Sequence, residues 1–275
     1  MTEHETKHPR IASLRPLVRY VDEIQAVIDL WLRLEGHEDL AAKGTELELL
    51  IEMRGPADDG FEYRRRLRLR DGAGMVRFVV PDPERWWPAG MGEQWLYDLS
   101  VTLLAGEKML DARSMTIGLT SVRVEQKAGA AVEPELLING RPCRIQSVTP
   151  VGPDDESRLL PASGDCLLVV RDHIAPKRLF DAADRAGVLV IQSLPMTGAE
   201  PAAAVAARQS LVAAGRDDMP ELASIDLLTA HPCLAGWFVS HVDAMTERVI
   251  LRMRDLDPTH NVFRSLPQGH GTGNS

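Results

Sequence analysis

The chain has 275 residues, 44% apolar and 26% charged, with a formal net charge of −9 at pH 7. That length accommodates one large or two modest domains, and the acidic balance argues against general nucleic-acid binding, which needs a basic face. No run of 18 apolar residues occurs and Met1–Arg10 is polar, so neither a transmembrane helix nor a secretory leader is expected; Cys143, Cys166 and Cys233 are scattered, which excludes a disulfide framework or Cys-rich zinc site and favours a reducing, cytoplasmic setting.

The stretch from Ile11 to Glu125 reads as mostly β. Residues 23–35 alternate, with Ile24, Ala26, Ile28, Leu30, Leu32 and Leu34 on one face and Gln25, Asp29, Trp31 and Arg33 on the other. Thr45–Arg54 reads as a strand, broken by Gly55-Pro56 and Asp58-Asp59-Gly60. Phe61–Leu69 follows, with Arg64, Arg65, Arg66, Arg68 and Arg70 in and around it. These arginines read as the solvated face of a strand balanced by nearby acids rather than as a phosphate site. Met75–Val80, Tyr97–Leu104 and Ser114–Glu125 complete a series of short strands with frequent turns, the pattern of an antiparallel sandwich of about seven strands.

Residues 127–135 read as a small-residue linker, and the texture then changes to α/β. Asn139-Gly140 marks a hairpin feeding a strand that runs to Val148. Cys166–Val170, Val188–Gln192 and Leu234–Val239 are continuous apolar runs, as buried parallel strands show. A helix opening at Pro176 and stopping at Gly187 separates the first two. Helices over Pro201–Ala214 and Pro220–Thr229 separate the last two. This alternation predicts βαβ units. Residues 1–10 and 266–275 read as flexible ends.

Five stretches carry a resemblance. Residues 86–99, from Trp86-Trp87-Pro88-Ala89-Gly90-Met91-Gly92-Glu93-Gln94 through Tyr97 to Leu99, resemble the W-W-P-x-G-x-G-x-Q-x-L-Y-x-L stretch of family 2 glycoside hydrolases, the β-galactosidases, β-glucuronidases and β-mannosidases. Met115–Val122, Leu137–Pro142, Phe180–Gln192 and His231–Trp237 resemble further words of that family in the family's order, so the resemblance spans roughly residues 20–245. It implies an immunoglobulin-like β-sandwich over 11–126, followed over 136–265 by a partial, about four-stranded TIM-barrel-like α/β domain. Within the first word, Trp86 and Trp87 read as apolar anchors of the sandwich core and its junction rather than as a sugar platform. Gly90 and Gly92 read as positions of positive φ or close backbone approach.

The same resemblance exposes missing chemistry. A retaining glycosidase needs two carboxyl groups about 5–5.5 Å apart, projecting from the carboxyl ends of barrel strands. Counting from Trp237, the family's acid/base Asn-Glu pair falls on His241 and Val242; valine transfers no proton, and Asp243 stands one residue further, where a strand-end side chain turns to the other face. Residues 136–275 are also fewer than the about 200–250 that a complete barrel takes, so no room is expected for the nucleophile strand. No catalytic residue is therefore expected. Arg171 and His173, after the strand Cys166–Val170, with Trp237, His241 and Asp243, are the candidate sugar contacts. The remaining histidines show no metal-ligand spacing and His231 reads as a core hydrogen-bonder, so neither metal nor cofactor is expected.

The expectation is a non-catalytic pseudo-glycosidase acting as an interaction or scaffold protein. The alternatives are a carbohydrate-binding remnant, or a glycosidase completed by a partner chain. Four parallel strands cannot close a barrel, so Val169, Val190, Ile191, Leu234 and Val239 are expected to leave an apolar face covered either by Ala244–Asp257 or by a second subunit. A homo-oligomer or a subunit of a larger complex is the expected state.

Overall fold

The computed structural model describes residues 8–38, 40, 44–56, 61–69, 72–125, 135–153, 166–171, 173–194, 228–239 and 244–264. The chain divides into two compact units: Met1–Arg85 with Trp95–Leu119, and Trp86–Gln94 with Thr120–Ser275.

The first unit holds β1 (Arg10–Val21), β2 (Gln25–Glu35), β3 (Leu47–Arg54), β4 (Glu62–Leu69), β5 (Ala73–Pro81), β6 (Tyr97–Ala105) and β7 (Lys108–Ile117). They form two antiparallel sheets, β1-β2-β5 and β4-β3-β6-β7. One face of each is apolar: Ala26, Ile28, Leu30, Leu32 and Leu34 of β2, Leu47, Leu49, Ile51 and Met53 of β3, and Tyr97, Leu99, Val101 and Leu103 of β6 are buried. The period of two is what a half-buried pleated strand imposes. The sheets meet at two edges. Asp111 of β7 accepts the Ile11 N–H at 2.8 Å, and Tyr63 of β4 stacks on Phe78 of β5 at 4.7 Å between centroids.

β1 escapes a reading by alternation because it is irregular. It carries Pro16, tolerable on this edge strand, and its register against β2 shifts between Ile11 and Ser13 and between Val18 and Tyr20. The arginines of β4 are balanced as expected: Arg66 pairs with Glu48 at 2.7 Å and Glu107 at 3.3 Å, Arg64 with Glu52 at 3.3 Å and Arg68 with Glu46 at 3.2 Å. Arg70 lies outside the described residues.

The second unit opens with β8 (Val122–Glu125), β9 (Glu135–Ile138) and β10 (Arg141–Cys143), a small antiparallel sheet in the order β10-β9-β8. Asn139 and Gly140 have φ of 49° and 79°, the paired positive values of the expected two-residue hairpin turn. The stretch 114–125, read as one strand, is two: β7 ends at Ile117 in one unit and β8 begins at Val122 in the other.

A five-stranded parallel sheet follows: β11 (Ser147–Val151), β12 (Cys166–Val170), β13 (Leu189–Ser193), β14 (Leu234–Phe238) and β15 (Asn261–Phe263), lying side by side in chain order. Helix α1 (Lys177–Ala186) connects β12 to β13 and ends on Gly187, whose φ of 68° is the left-handed stop that glycine supplies. Helix α2 (Ala244–Leu256) connects β14 to β15. The helix expected over 201–214, and all but Leu228 and Thr229 of the one expected over 220–229, lie outside the described residues.

Two expectations are corrected here. The sheet has five parallel strands rather than about four, because the segment after Val242 forms a helix and then a further strand; β15 is three residues long and carries too little pattern to be read. The second concerns only the need for a second subunit: Val169, Val190, Ile191, Leu234 and Val239 are each at most 1% exposed, and Ile250 and Met253 of α2 are buried as well, in keeping with the expected alternative of cover by Ala244–Asp257. The sheet therefore offers no apolar patch at these positions that calls for a covering partner. Among the described residues no helix is long and apolar enough to cross a membrane.

Candidate functional site

In a parallel α/β sheet the chemistry belongs at the carboxyl ends of the strands. Backbone bonds continue the ladder there: Arg171 N–H donates to Val151 O at 3.1 Å, Leu194 N–H to Phe238 O at 2.9 Å and Val239 N–H to Phe263 O at 3.1 Å. Arg171 is exposed at the end of β12. The His173 ring Nδ1 donates to the Arg171 carbonyl at 2.7 Å. The loop they share is pinned from below by Gln192, a fully buried residue of β13 that reading by residue type passed over. Its amide nitrogen donates to the carbonyls of His173 at 2.7 Å and Ser193 at 2.6 Å, and its oxygen accepts the Ala175 N–H at 3.2 Å. A glutamine inside an apolar strand is the signal that could have found it, because a buried amide must be paired.

Trp237 does not belong to this edge. It is fully buried, and its indole N–H donates to Asp257 Oδ2 at 2.8 Å. A ring with no exposed face offers nothing to a sugar, so this candidate is corrected to a core anchor. His241 and Asp243 lie outside the described residues, as does Asp172.

Asp257 is itself a junction. Its carboxylate also accepts Thr259 Oγ1 at 2.6 Å and His260 Nδ1 at 2.8 Å. Burial alone would raise its carboxyl, but the charge of His260 and the hydrogen bonds from His260, Thr259 and Trp237 outweigh burial and hold it well below the usual range. A depressed folded value gives stability that is present above the ordinary carboxylate value of about 4 and is lost as pH falls through the folded value. Urea midpoints of the wild type and Asp257→Asn are therefore expected to differ at pH 5 and to converge as pH falls below about 4. A gap that stays constant to pH 3 would contradict this.

The five stretches that carry the family resemblance meet elsewhere, in one chain of hydrogen bonds, half-buried at Asn139 and buried from Trp86 onward. Ser121 N–H and Thr120 Oγ1 donate to Asn139 Oδ1 at 2.9 and 3.3 Å. Asn139 Nδ2 donates to the Trp86 carbonyl at 2.9 Å. Trp86 Nε1 donates to the Asp184 carbonyl at 2.8 Å. The Asp184 carboxylate accepts His231 Nδ1 at 2.6 Å and the Cys233 N–H at 3.1 Å. Trp86 thus anchors the second unit rather than the sandwich core. Beside it Ala89 N–H donates to Gly187 O at 2.9 Å, and a Cβ on Gly187 would come within 2.4 Å of Ala89 N. Gln94 donates to the carbonyls of Trp87 at 3.1 Å and Gly92 at 2.7 Å, the Arg141 guanidinium stands 5.1 Å from the centroid of the Trp87 ring, and Gly90 has φ 83°. In the first unit the Tyr97 hydroxyl accepts the Glu84 N–H at 2.8 Å.

The set Asp181, Asp184 and His231 brings three metal-ligand side chains within 4.8 Å of one another. Its carboxylates are already engaged: Asp184 by His231 and Cys233, Asp181 by Lys177. Burial, with Asp184 beside it, pushes the Cys233 thiol well up, which makes it an inert core thiol rather than a nucleophile.

Residues 30–119 match the family model described as glycosyl hydrolases family 2. The chain is a relative of that family. An exo-β-D-glucosaminidase of Amycolatopsis orientalis is 30% identical over 119 residues, 40% of this chain and 11% of that protein. A β-mannosidase B of Thermothelomyces thermophilus is 39% identical over 56 residues, 20% of this chain and 6% of that protein. Among solved structures, the exo-chitosanase of Amycolatopsis orientalis superposes with a TM-score of 0.63 at 17% identity over 94% of this chain and 32% of its own. A β-glycosidase from Bacteroides vulgatus gives 0.68 at 15% identity over 94% of this chain and 34% of its own. At these identities the superpositions show the fold alone. The chain spans about a third of the length of these solved structures, and the alignments cover about a tenth or less of the curated relatives.

Proposed function

We propose that this family 2 relative is non-catalytic and acts as an interaction or scaffold protein, its first unit an immunoglobulin-like sandwich and its second a portion of a (β/α)₈ barrel. Seven antiparallel strands in sheets of three and four, and five parallel strands in chain order with helical crossovers, support the two domain readings.

One observation carries the functional reading. The described residues at the carboxyl ends of β11 to β15 are Val151 and Gly152, Val170 and Arg171, Ser193 and Leu194, Phe238 and Val239, Phe263 and Arg264, and none is a carboxylic acid. The nearest described acid in the α2 segment, Glu247, is paired with Arg264 at 2.7 Å. The residue that the resemblance puts in the acid/base position is Val242. Retaining hydrolysis without either carboxyl group loses several orders of magnitude in rate. The buried thiol of Cys233 suits a reducing, cytoplasmic setting. The outer strands β11 and β15 of the parallel sheet are where a second copy or another subunit would add.

The test is a panel of aryl β-glycosides, including glucosaminide, mannoside, glucuronide and galactoside, with sedimentation of the same sample. No turnover above buffer and a mass above 30.3 kDa are expected. Turnover that Asp172→Asn or Asp243→Asn abolishes would overturn the reading and restore a glycosidase. A second reading, a carbohydrate site at the end of β12, is favoured by the exposure of Arg171 beside the pinned His173 loop; isothermal titration with mono- and disaccharides distinguishes it.

A further inference from the structure

Four of the eight large apolar side chains that are exposed among the described residues lie on one surface, the outer face of the β1-β2-β5 sheet: Tyr20 at 42%, Trp31 at 43%, Met75 at 42% and Val79 at 44%. The register orders them. Trp31 stands opposite Met75, and Val27 opposite both Tyr20 and Val79. Arg15 stands on the other side of Trp31, and between the two rows Asp29 stands opposite Arg77 on one side and the buried Leu17 on the other. Arg77 Nε and Nη2 donate to Asp29 Oδ1 at 2.6 Å and Oδ2 at 2.8 Å. Asp29 is 4% exposed while the Arg77 side chain is 57% exposed. Two of the five guanidinium donors are so engaged, and the others reach the surface.

The rows at Trp31 and Val27 are four residues apart, about 14 Å along the strand, and three strands make a strip about 10 Å wide. This is far smaller than the about 800 Å² that each partner contributes to a stable protein interface. It matches the length and width of a short run of flat rings in one extended chain. The charge on it is opposite to that of the molecule. Arg10, Arg15, Arg19, Arg33 and Arg77 stand on or beside this face against the carboxylates of Asp29, of Glu35, which pairs with Arg10 and Arg33, and of Asp22, which accepts the Tyr20 hydroxyl at 2.5 Å, so the face is net positive within a chain of net charge −9.

We propose that this face binds an extended oligosaccharide that carries carboxylates, a uronate polymer. Pyranose rings present apolar C–H faces, which pack on Trp31 and Tyr20 as flat platforms. The carboxylates between them meet the exposed Arg77 guanidinium, with Arg19 and Arg15 to either side, where a planar fork recognises them. This site lies in the first unit and holds whether or not the chain hydrolyses a glycoside.

The test titrates the full chain with an oligomer of mannuronate, following tryptophan fluorescence and heat. The expected result is saturable binding that weakens with added salt and about tenfold in Trp31→Ala, the scale of losing one aromatic anchor. Both Trp31 and Tyr20 project from the sheet, so Tyr20→Ala serves as the second variant, and melting curves establish that each variant is folded. No binding of oligomannuronate by the wild type, or unchanged binding by both folded variants, would overturn the proposal. Equal affinity for a neutral mannose oligomer would overturn the role of the arginines. Equal affinity for poly-L-glutamate would reassign the face to an acidic polypeptide.

Discussion

Trp86→Ala is expected to destabilise the second unit by about 3–5 kcal/mol, the range for emptying the site of a buried large aromatic side chain. The ring is fully buried, and its loss also leaves the Asp184 carbonyl without its donor at the end of α1. Chemical denaturation followed by circular dichroism measures it. Trp86→Phe separates the two contributions. It keeps most of the apolar volume and removes the N–H, so it is expected to cost about 1–3 kcal/mol, the penalty of an unsatisfied buried acceptor. Trp87→Ala is expected to cost less than Trp86→Ala, because Trp87 retains 8% exposure. A Trp86→Ala midpoint within error of the wild type would show that the 86–94 segment is not anchored to α1.

Asp184→Ala is expected to cost about 3–5 kcal/mol through a different mechanism. The carboxylate is 1% exposed and accepts from two buried donors, His231 Nδ1 and the Cys233 N–H. Removing one member of such a set leaves the others buried and unpaired, which is what makes the single deletion severe. The cost should therefore be shared. Asp184→Ala combined with His231→Ala is expected to lose less than the sum of the two single variants, since once one partner is gone the other no longer has a contact to lose. Strict additivity in that cycle would mean that the Asp184–His231 contact, at 2.6 Å, contributes nothing to the folded state.

These two experiments address the same feature from its two ends. The five stretches that resemble family 2 are held together by hydrogen bonds running from Ser121 through Asn139, Trp86 and Asp184 to His231 and Cys233. In this chain the stretches that carry the resemblance brace the α/β unit. Such residues are fixed by the partners that their polar groups must satisfy.

The sequence by itself determined the elements whose pattern is local. The alternation of β2, β3 and β6 follows from the period of a strand with one wet face. The Asn139-Gly140 turn follows from its need for two positive φ angles, the end of α1 at Gly187 from the left-handed stop, and the parallel runs from burial on both faces. The balance of Arg64, Arg66 and Arg68 was also legible, because Glu46, Glu48 and Glu52 lie in and beside the preceding strand. The tertiary structure alone decided the rest. Whether Trp86 serves the sandwich or the α/β unit depends on which distant carbonyl its N–H reaches, and that carbonyl is 98 residues away at Asp184. Whether Trp237 faces a ligand or a core depends on Asp257, on the far side of α2. The closing strand β15 has three residues, too few for a period, and is specified by its pairing with β14. Long-range partners of single side chains leave no periodic trace in a sequence, and so these assignments could come only from the folded chain.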